Sequence, residues 1–275
     1  MTAHSAPRRD DHPLTVLVTG GGGFIGKAVI QRLIARGWAV RNLSRHHYPE
    51  LDALGVTTIP GDLADPDACR RACAGCAAII HVAAKAGVWG PYREYERPNV
   101  IGTQNLLAAC DQRVRWFVFT SSPSVVFGGH DMAGVDESVP YPAQHRSAYS
   151  ATKAQAERAV LAANRPALRT VALRPHLVWG PGDNHIVPRI LAQARAGQLR
   201  IIGPGDNQVD TTYIDNAADA HLCALDALRT HDPSTQPPDA NQSPRRKPRK
   251  NTPLTDSPGK QPAESPRDPA GKAYF

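Results

Sequence analysis

Tyr149 and Lys153 stand four residues apart in the run Tyr149-Ser-Ala-Thr-Lys153. On a helix that spacing places both on one face. An ammonium group one turn from a phenol stabilises the phenolate, and a phenol lowered in this way can pass a proton near neutral pH. The pattern alone is common on surface helices, so its meaning depends on companions. One is the serine-rich run Thr120-Ser-Ser-Pro-Ser124, which follows an apolar stretch. Ser122 is the hydroxyl best placed to orient a carbonyl, with Ser121 and Ser124 as alternatives that the sequence does not separate.

The second companion lies near the start. Residues 14–19 read as a short apolar strand, Gly20-Gly-Gly-Gly-Phe-Ile-Gly26 as a turn, and 27–36 as a helix. Gly20 permits a sharp turn off the strand, Gly23 lets a pyrophosphate approach the backbone, and Gly26 lets the helix lie close to the sheet. With Phe24 and Ile25, this turn presents the first N–H groups of the helix to the phosphates of a dinucleotide. A cationic nicotinamide bound beyond it would lower the Tyr149 phenol further. The second strand, 38–43, leads to Ser44 and Arg45 with no carboxylate nearby. An acidic residue there would favour NAD, so Arg45 favours the extra phosphate of NADP(H), with NAD(H) as the second candidate. Asp62, followed by Leu63, is placed to accept from an adenine amino group. Ala83, Ala84 and Lys85 follow a buried strand, and their small neighbours leave room for the cofactor.

The elements that must hold these groups alternate. Strands are expected at 56–60, 77–82, 114–120, 169–174 and 199–202. Helices are expected at 65–74 (Asp65 as cap, Pro66 in its first turn), 98–110, 147–164 and 186–196, and at 216–229 with Asp215 as cap. Such alternation predicts an α/β fold, a Rossmann-type doubly wound parallel sheet with helices on both faces. Residues 1–13 are polar, lack a signal-peptide core and are expected to be disordered, which makes the cytoplasm the expected location. No apolar run is long enough to span a membrane. From residue 230 the composition shifts. Ten of the 25 prolines lie in the last 46 residues, so 230–270 is expected to be disordered and 271–275 to begin a strand. The net charge of +7 includes the cluster Arg245-Arg-Lys-Pro-Arg-Lys250 in that tail. It reads as a solvated charge run, not a nucleic-acid arm. Cys73-Ala-Gly-Cys76 has no second ligand pair, so no metal site is expected.

Seven blocks in order carry a family resemblance: Thr19-Gly-x-x-Gly-x-x-Gly26, Gly61-Asp-Leu63, Asn99-Val-x-Gly-Thr103, Thr120-Ser-Ser122, Tyr149-x-x-x-Lys153, Leu173-Arg-Pro175 and Trp179-Gly-Pro-Gly-Asp183. Over residues 14–229 the chain resembles the extended short-chain dehydrogenase/reductase family, and within it the 3β-hydroxysteroid dehydrogenase-like branch. The resemblance implies hydride transfer from NADPH to the 3-keto carbon of a 2-alkyl-3-oxo fatty acid or a similar apolar ketone. Tyr149 would protonate the alkoxide, Lys153 would bind the nicotinamide ribose, and Ser122 would hold the carbonyl. Asn99 would brace the region between sheet and site and count among the cofactor-binding residues, and Pro175 to Val178 would line the nicotinamide. Relatives pair through the helices at 98–110 and 147–164, which implies a homodimer.

Members of that family continue past the strand that starts near Lys272 into a lobe that covers the substrate. Its absence here implies a chain that binds NADP(H) and is impaired as a reductase, with uncovered apolar surface around 186–213. The alternatives are a sterol dehydrogenase, a sugar-nucleotide epimerase or dehydratase, and, in another class, a non-catalytic NADP-binding protein or a non-functional gene fragment.

Overall fold

The computed structural model describes residues 14–87, 89–184, 186–201, 203–232 and 268–275. The sequence readings of 1–13 and of most of 230–270 therefore lie outside the described residues. The elements in order are β1 (Thr15–Thr19), α1 (Phe24–Ala35), β2 (Ala39–Ser44), α2 (Pro49–Asp52), β3 (Thr57–Pro60), α3 (Pro66–Cys73), β4 (Ala78–His81), α4 (Tyr92–Glu96), α5 (Gly102–Ala109), β5 (Trp116–Thr120), α6 (Ala148–Ala162), β6 (Arg169–Leu173), β7 (Val178–Trp179), α7 (Ile186–Arg195), β8 (Thr212–Tyr213), α8 (Ile214–Thr230) and β9 (Lys272–Tyr274).

Seven strands form one parallel sheet in the order β3-β2-β1-β4-β5-β6-β9. The chain leaves β1 to one side for β2 and β3, then returns to place β4 on its other side. That reversal opens a crevice at the carboxyl ends of β1 and β4, where open α/β sheets bind ligands. Alternate residues of each strand feed opposite layers. Val16 and Val18 pack with Val29, Ile30 and Leu33 of α1 and Leu222, Leu225 and Leu228 of α8. Leu17 joins Phe117 and Phe119 with Cys69 of α3, Leu106 of α5 and Val160 of α6 on the other face. Arg32 of α1 ties α8 to its own layer through Asp215 at 2.7 Å and Asp219 at 2.5 Å.

Several local expectations are corrected. Residues 199–201 form no strand. Asp215 is not the cap of the last helix: α8 begins at Ile214 with Tyr213 at its N-cap, and Asp215 sits in the first turn facing Arg32. The helix expected at 98–110 begins earlier, and Arg97–Ile101 winds as a π-helical turn between α4 and α5. Pro98 has no N–H to give to the regular ladder, which accounts for the wider turn at that point. The two-residue pair β7–β8 was not legible in the sequence.

Two histidines are fully buried polar pins. His221 of α8 lies 2.6 Å from the Ala217 carbonyl through Nδ1 and 2.7 Å from the Thr120 hydroxyl through Nε2. A carbonyl only accepts, so Nδ1 carries the proton. His81, the last residue of β4, bridges the hydroxyls of Thr19 and Thr103. Burial pushes the imidazoles down to about 4 for His221 and about 3 for His81, where the Lys153 charge adds to the effect. Cys69, Cys73 and Cys76 are buried thiols, while Cys223 is exposed on α8.

Both imidazoles stay neutral in the fold where the unfolded chain binds protons, so stability is complete above the ordinary histidine range and falls as pH drops through it. Denaturant unfolding at pH 7 and pH 5 is expected to show a loss of about 2 kcal/mol for each imidazole; equal stability at both would contradict the assignment. A Cβ on Gly26 would overlap the Gly20 carbonyl oxygen. Gly26→Ala is therefore expected to lower the unfolding free energy by about 1–3 kcal/mol, read from the same melts.

Candidate active site

The glycine turn is built by close backbone approach. Gly20 has φ +73°, and a Cβ there would meet Ala83 backbone atoms at 2.9 Å. The turn thus lies directly against the chain leaving β4. Gly26 serves the turn itself: its missing Cβ makes room for the Gly20 carbonyl, not for the sheet as the sequence suggested. Gly23 caps α1 with no side-chain hydrogen bond, and the first turn holds no acidic residue. A helix N-terminus of this kind favours a phosphate.

One large cleft, about 2010 Å³, runs along the carboxyl edge of the sheet. Its lining includes Gly20, Gly23, Phe24, Ile25 and Gly26, then Ser44, Arg45, Asp62 and Leu63, then Ala83, Ala84 and Lys85. Ser122, Tyr149, Lys153, Pro175 and Val178 line it as well. Asn99 does not. It is 2 % exposed behind the wall, where its amide accepts from the Lys85 N–H at 2.8 Å and donates to the Lys85 carbonyl and the Thr152 hydroxyl, both at 3.1 Å.

The reactive groups sit on α6 and beyond β5. Ser147 begins α6 with a capping box, reciprocally bonded to Ser150, which fixes where the Tyr149 turn starts. Lys153 is 2 % exposed. Its Nζ donates to the Thr120 carbonyl at 2.6 Å and lies 4.0 Å from the centre of the Phe119 ring. Burial pushes its pKa down to about 7, against the opposing charge of Glu157 one turn on. Glu157 is in turn held by Arg174 at 2.6 Å and by the Tyr141 hydroxyl at 2.6 Å.

Tyr149 corrects an expectation. Its phenol is raised, not lowered: burial sets the direction, and the opposing contribution is a hydrogen bond with Ser122, not the Lys153 charge. Ser122 also lies 3.0 Å from the Ser124 hydroxyl. The Ser121 hydroxyl is buried without a partner among the described residues, and its N–H donates to Leu173 at 2.5 Å.

Asp62 already accepts from the Ala64 N–H at 3.0 Å and from Arg97 at 3.1 Å. Lys85 pairs with Glu94 and lies 5.2 Å from the Tyr95 ring centre. Sequence reasoning missed Tyr48, whose ring occupies the space a side chain at Gly22 would need. No local pattern marks it. Leu177, inside the stretch Pro175 to Val178, lines the cleft at φ +40°. Among the described residues there is no cluster of metal-ligating side chains, and no helix is long and apolar enough to cross a membrane.

The 2-alkyl-3-oxoalkanoate reductase of Stenotrophomonas maltophilia (strain K279a) is 52% identical over 218 residues, 78% of this chain and 66% of that protein. The reductase of the same name from Shewanella oneidensis is 49% identical over 227 residues, 80% of this chain and 59% of that one. The chain thus spans under two thirds of the length of both. The crystal structure of the Thermus thermophilus UDP-glucose 4-epimerase in complex with NAD superposes with a TM-score of 0.64 at 31% identity, over 77% of this chain and 74% of that one. A family model matches residues 17–242, and the chain belongs to the 3-beta hydroxysteroid dehydrogenase/isomerase family, within the extended short-chain dehydrogenase/reductases.

Proposed function

We propose that the cleft binds NADP(H) and reduces the ketone of an apolar 2-alkyl-3-oxo acid to the alcohol. The observation that carries this reading is the junction of the Gly20–Gly26 turn, Ser122, Tyr149 and Lys153 in one cleft of a chain 52% identical to a 2-alkyl-3-oxoalkanoate reductase. The uncapped N-terminus of α1 and the bare backbone at Gly23 suit a pyrophosphate. Bound NADPH would supply the hydride. Arg45 would face the extra phosphate, Asp62 and Leu63 the adenine, and Ala83 to Lys85, Pro175 and Val178 the remaining length.

The chain's own groups then have distinct tasks. Ser122 and Tyr149 donate hydrogen bonds to the ketone oxygen and favour the charge that develops there. Tyr149, kept protonated by burial, gives its proton to that oxygen. Lys153, fixed to the Thr120 carbonyl, has further N–H donors for the ribose hydroxyls. Phe127, Met132, Val135, Leu177 and Val209 line the same cleft and offer an apolar wall to alkyl chains.

NADPH oxidation with a 2-alkyl-3-oxo acid tests the assignment. Tyr149→Phe is expected to lower kcat by about 100-fold or more while the NADPH Kd, read by fluorescence titration, stays the same; undiminished turnover would overturn it. Arg45→Ala is expected to weaken NADPH binding about tenfold through loss of a charge-assisted contact and to leave NADH binding unchanged. Equal losses for both nucleotides would remove Arg45 from the phosphate site.

A further inference from the structure

His81 lies outside the cleft lining, yet it stands at the centre of a continuous hydrogen-bond chain. The Ala83 N–H donates to the Thr19 hydroxyl at 3.2 Å, and that hydroxyl lies 2.6 Å from His81 Nδ1. His81 Nε2 lies 2.9 Å from the Thr103 hydroxyl, and Thr103 donates to the Asn99 carbonyl at 2.6 Å. The Asn99 amide then donates to the Thr152 hydroxyl, which donates into the first turn of α6, to the Ala148 and Tyr149 carbonyls at 2.8 and 3.0 Å.

The protons on either side of the His81 ring have determined directions. Thr103 has one hydroxyl hydrogen, and the Asn99 carbonyl takes it. The Thr103 oxygen can therefore only accept from His81, so Nε2 carries the ring proton. Nδ1 is left as the acceptor for the Thr19 hydroxyl. Thr19 immediately precedes Gly20, and Thr152 lies between Tyr149 and Lys153. The ring is wholly buried beside Phe117 and Phe119, with centroids at 6.0 and 5.5 Å, and a half-turn of the ring would lose both hydroxyl partners.

We propose that His81 is a positioning residue which sets the glycine turn and the α6 helix in one register, through the ordered chain Thr19–His81–Thr103–Asn99–Thr152. The π-helical turn at Arg97–Ile101 has a purpose in this scheme. It directs the Asn99 side chain to Lys85 and α6 while the Asn99 carbonyl receives Thr103. The inference deepens the reading of Tyr149 and Lys153 as the reacting pair, but its test needs no turnover.

The experiment is nitrogen-15 NMR on the full chain. At neutral pH, His81 is expected as the Nε2–H form with an unprotonated Nδ1. His221, whose Nδ1 faces the Ala217 carbonyl, is expected in the opposite form and acts as an internal reference. Thr19→Val removes the hydroxyl at the β1 end. It should move the backbone amide signals of Asn99, Thr152 and Lys153, and Thr19→Ser should return them. Thr103→Val, read at Gly20 to Gly23, with Thr103→Ser as its rescue, covers the case in which Thr19→Val does not fold. An Nδ1–H His81 would overturn the proposal. So would a Thr19→Val protein, or failing that a Thr103→Val protein, that folds with unmoved signals at the far end.

Discussion

The ammonium of Lys153 rests on the carbonyl of Thr120, inside the protein and under an aromatic face. A buried charge is costly unless its hydrogens and its field are both answered. Here a peptide dipole, the Phe119 ring and Glu157 answer it, and Arg174 and Tyr141 saturate Glu157 in turn. That contact ties α6, which also carries Tyr149, to the end of β5. Thr120 also reaches His221 with its hydroxyl, so the end of β5 is gripped from both layers of the fold.

The strand order explains why these groups meet at all. β1, β4, β5 and β6 are neighbours, so their carboxyl ends bring Gly20, Ala83, Ser122 and Pro175 to one edge although 155 positions of sequence separate the first from the last. These distant segments must be held to the spacing of single hydrogen bonds. The sheet register does so through backbone pairing, and side chains near the strand ends make the final adjustments.

Much of this could be read without coordinates because it is written in local spacing. The glycine triplet between strand and helix, the Asp65–Pro66 helix start and the Tyr149–Lys153 pair each occupy a few consecutive turns. What could not be read depends on partners far along the chain. Asp215 looks like a cap until Arg32, 183 residues earlier, is brought to it. Tyr48 has no motif, and only folding sets its ring on the glycine turn. The direction of the Tyr149 shift escaped for the same reason. Spacing places a lysine near a phenol, but only the packed structure shows that the lysine donates to a carbonyl and that burial prevails at the phenol.

The cysteine distribution has a practical side. Burial pushes the thiols of Cys69 and Cys110 up to about 11 and about 12, and those of Cys73 and Cys76 upward as well. Thiolate is the reactive form, so these four are slow nucleophiles at the pH of ordinary alkylation chemistry. Cys223 instead lies exposed on α8, outside the cleft lining. A maleimide dye or a spin label would thus attach preferentially at one external point, giving a reporter whose own linkage leaves the crevice unobstructed.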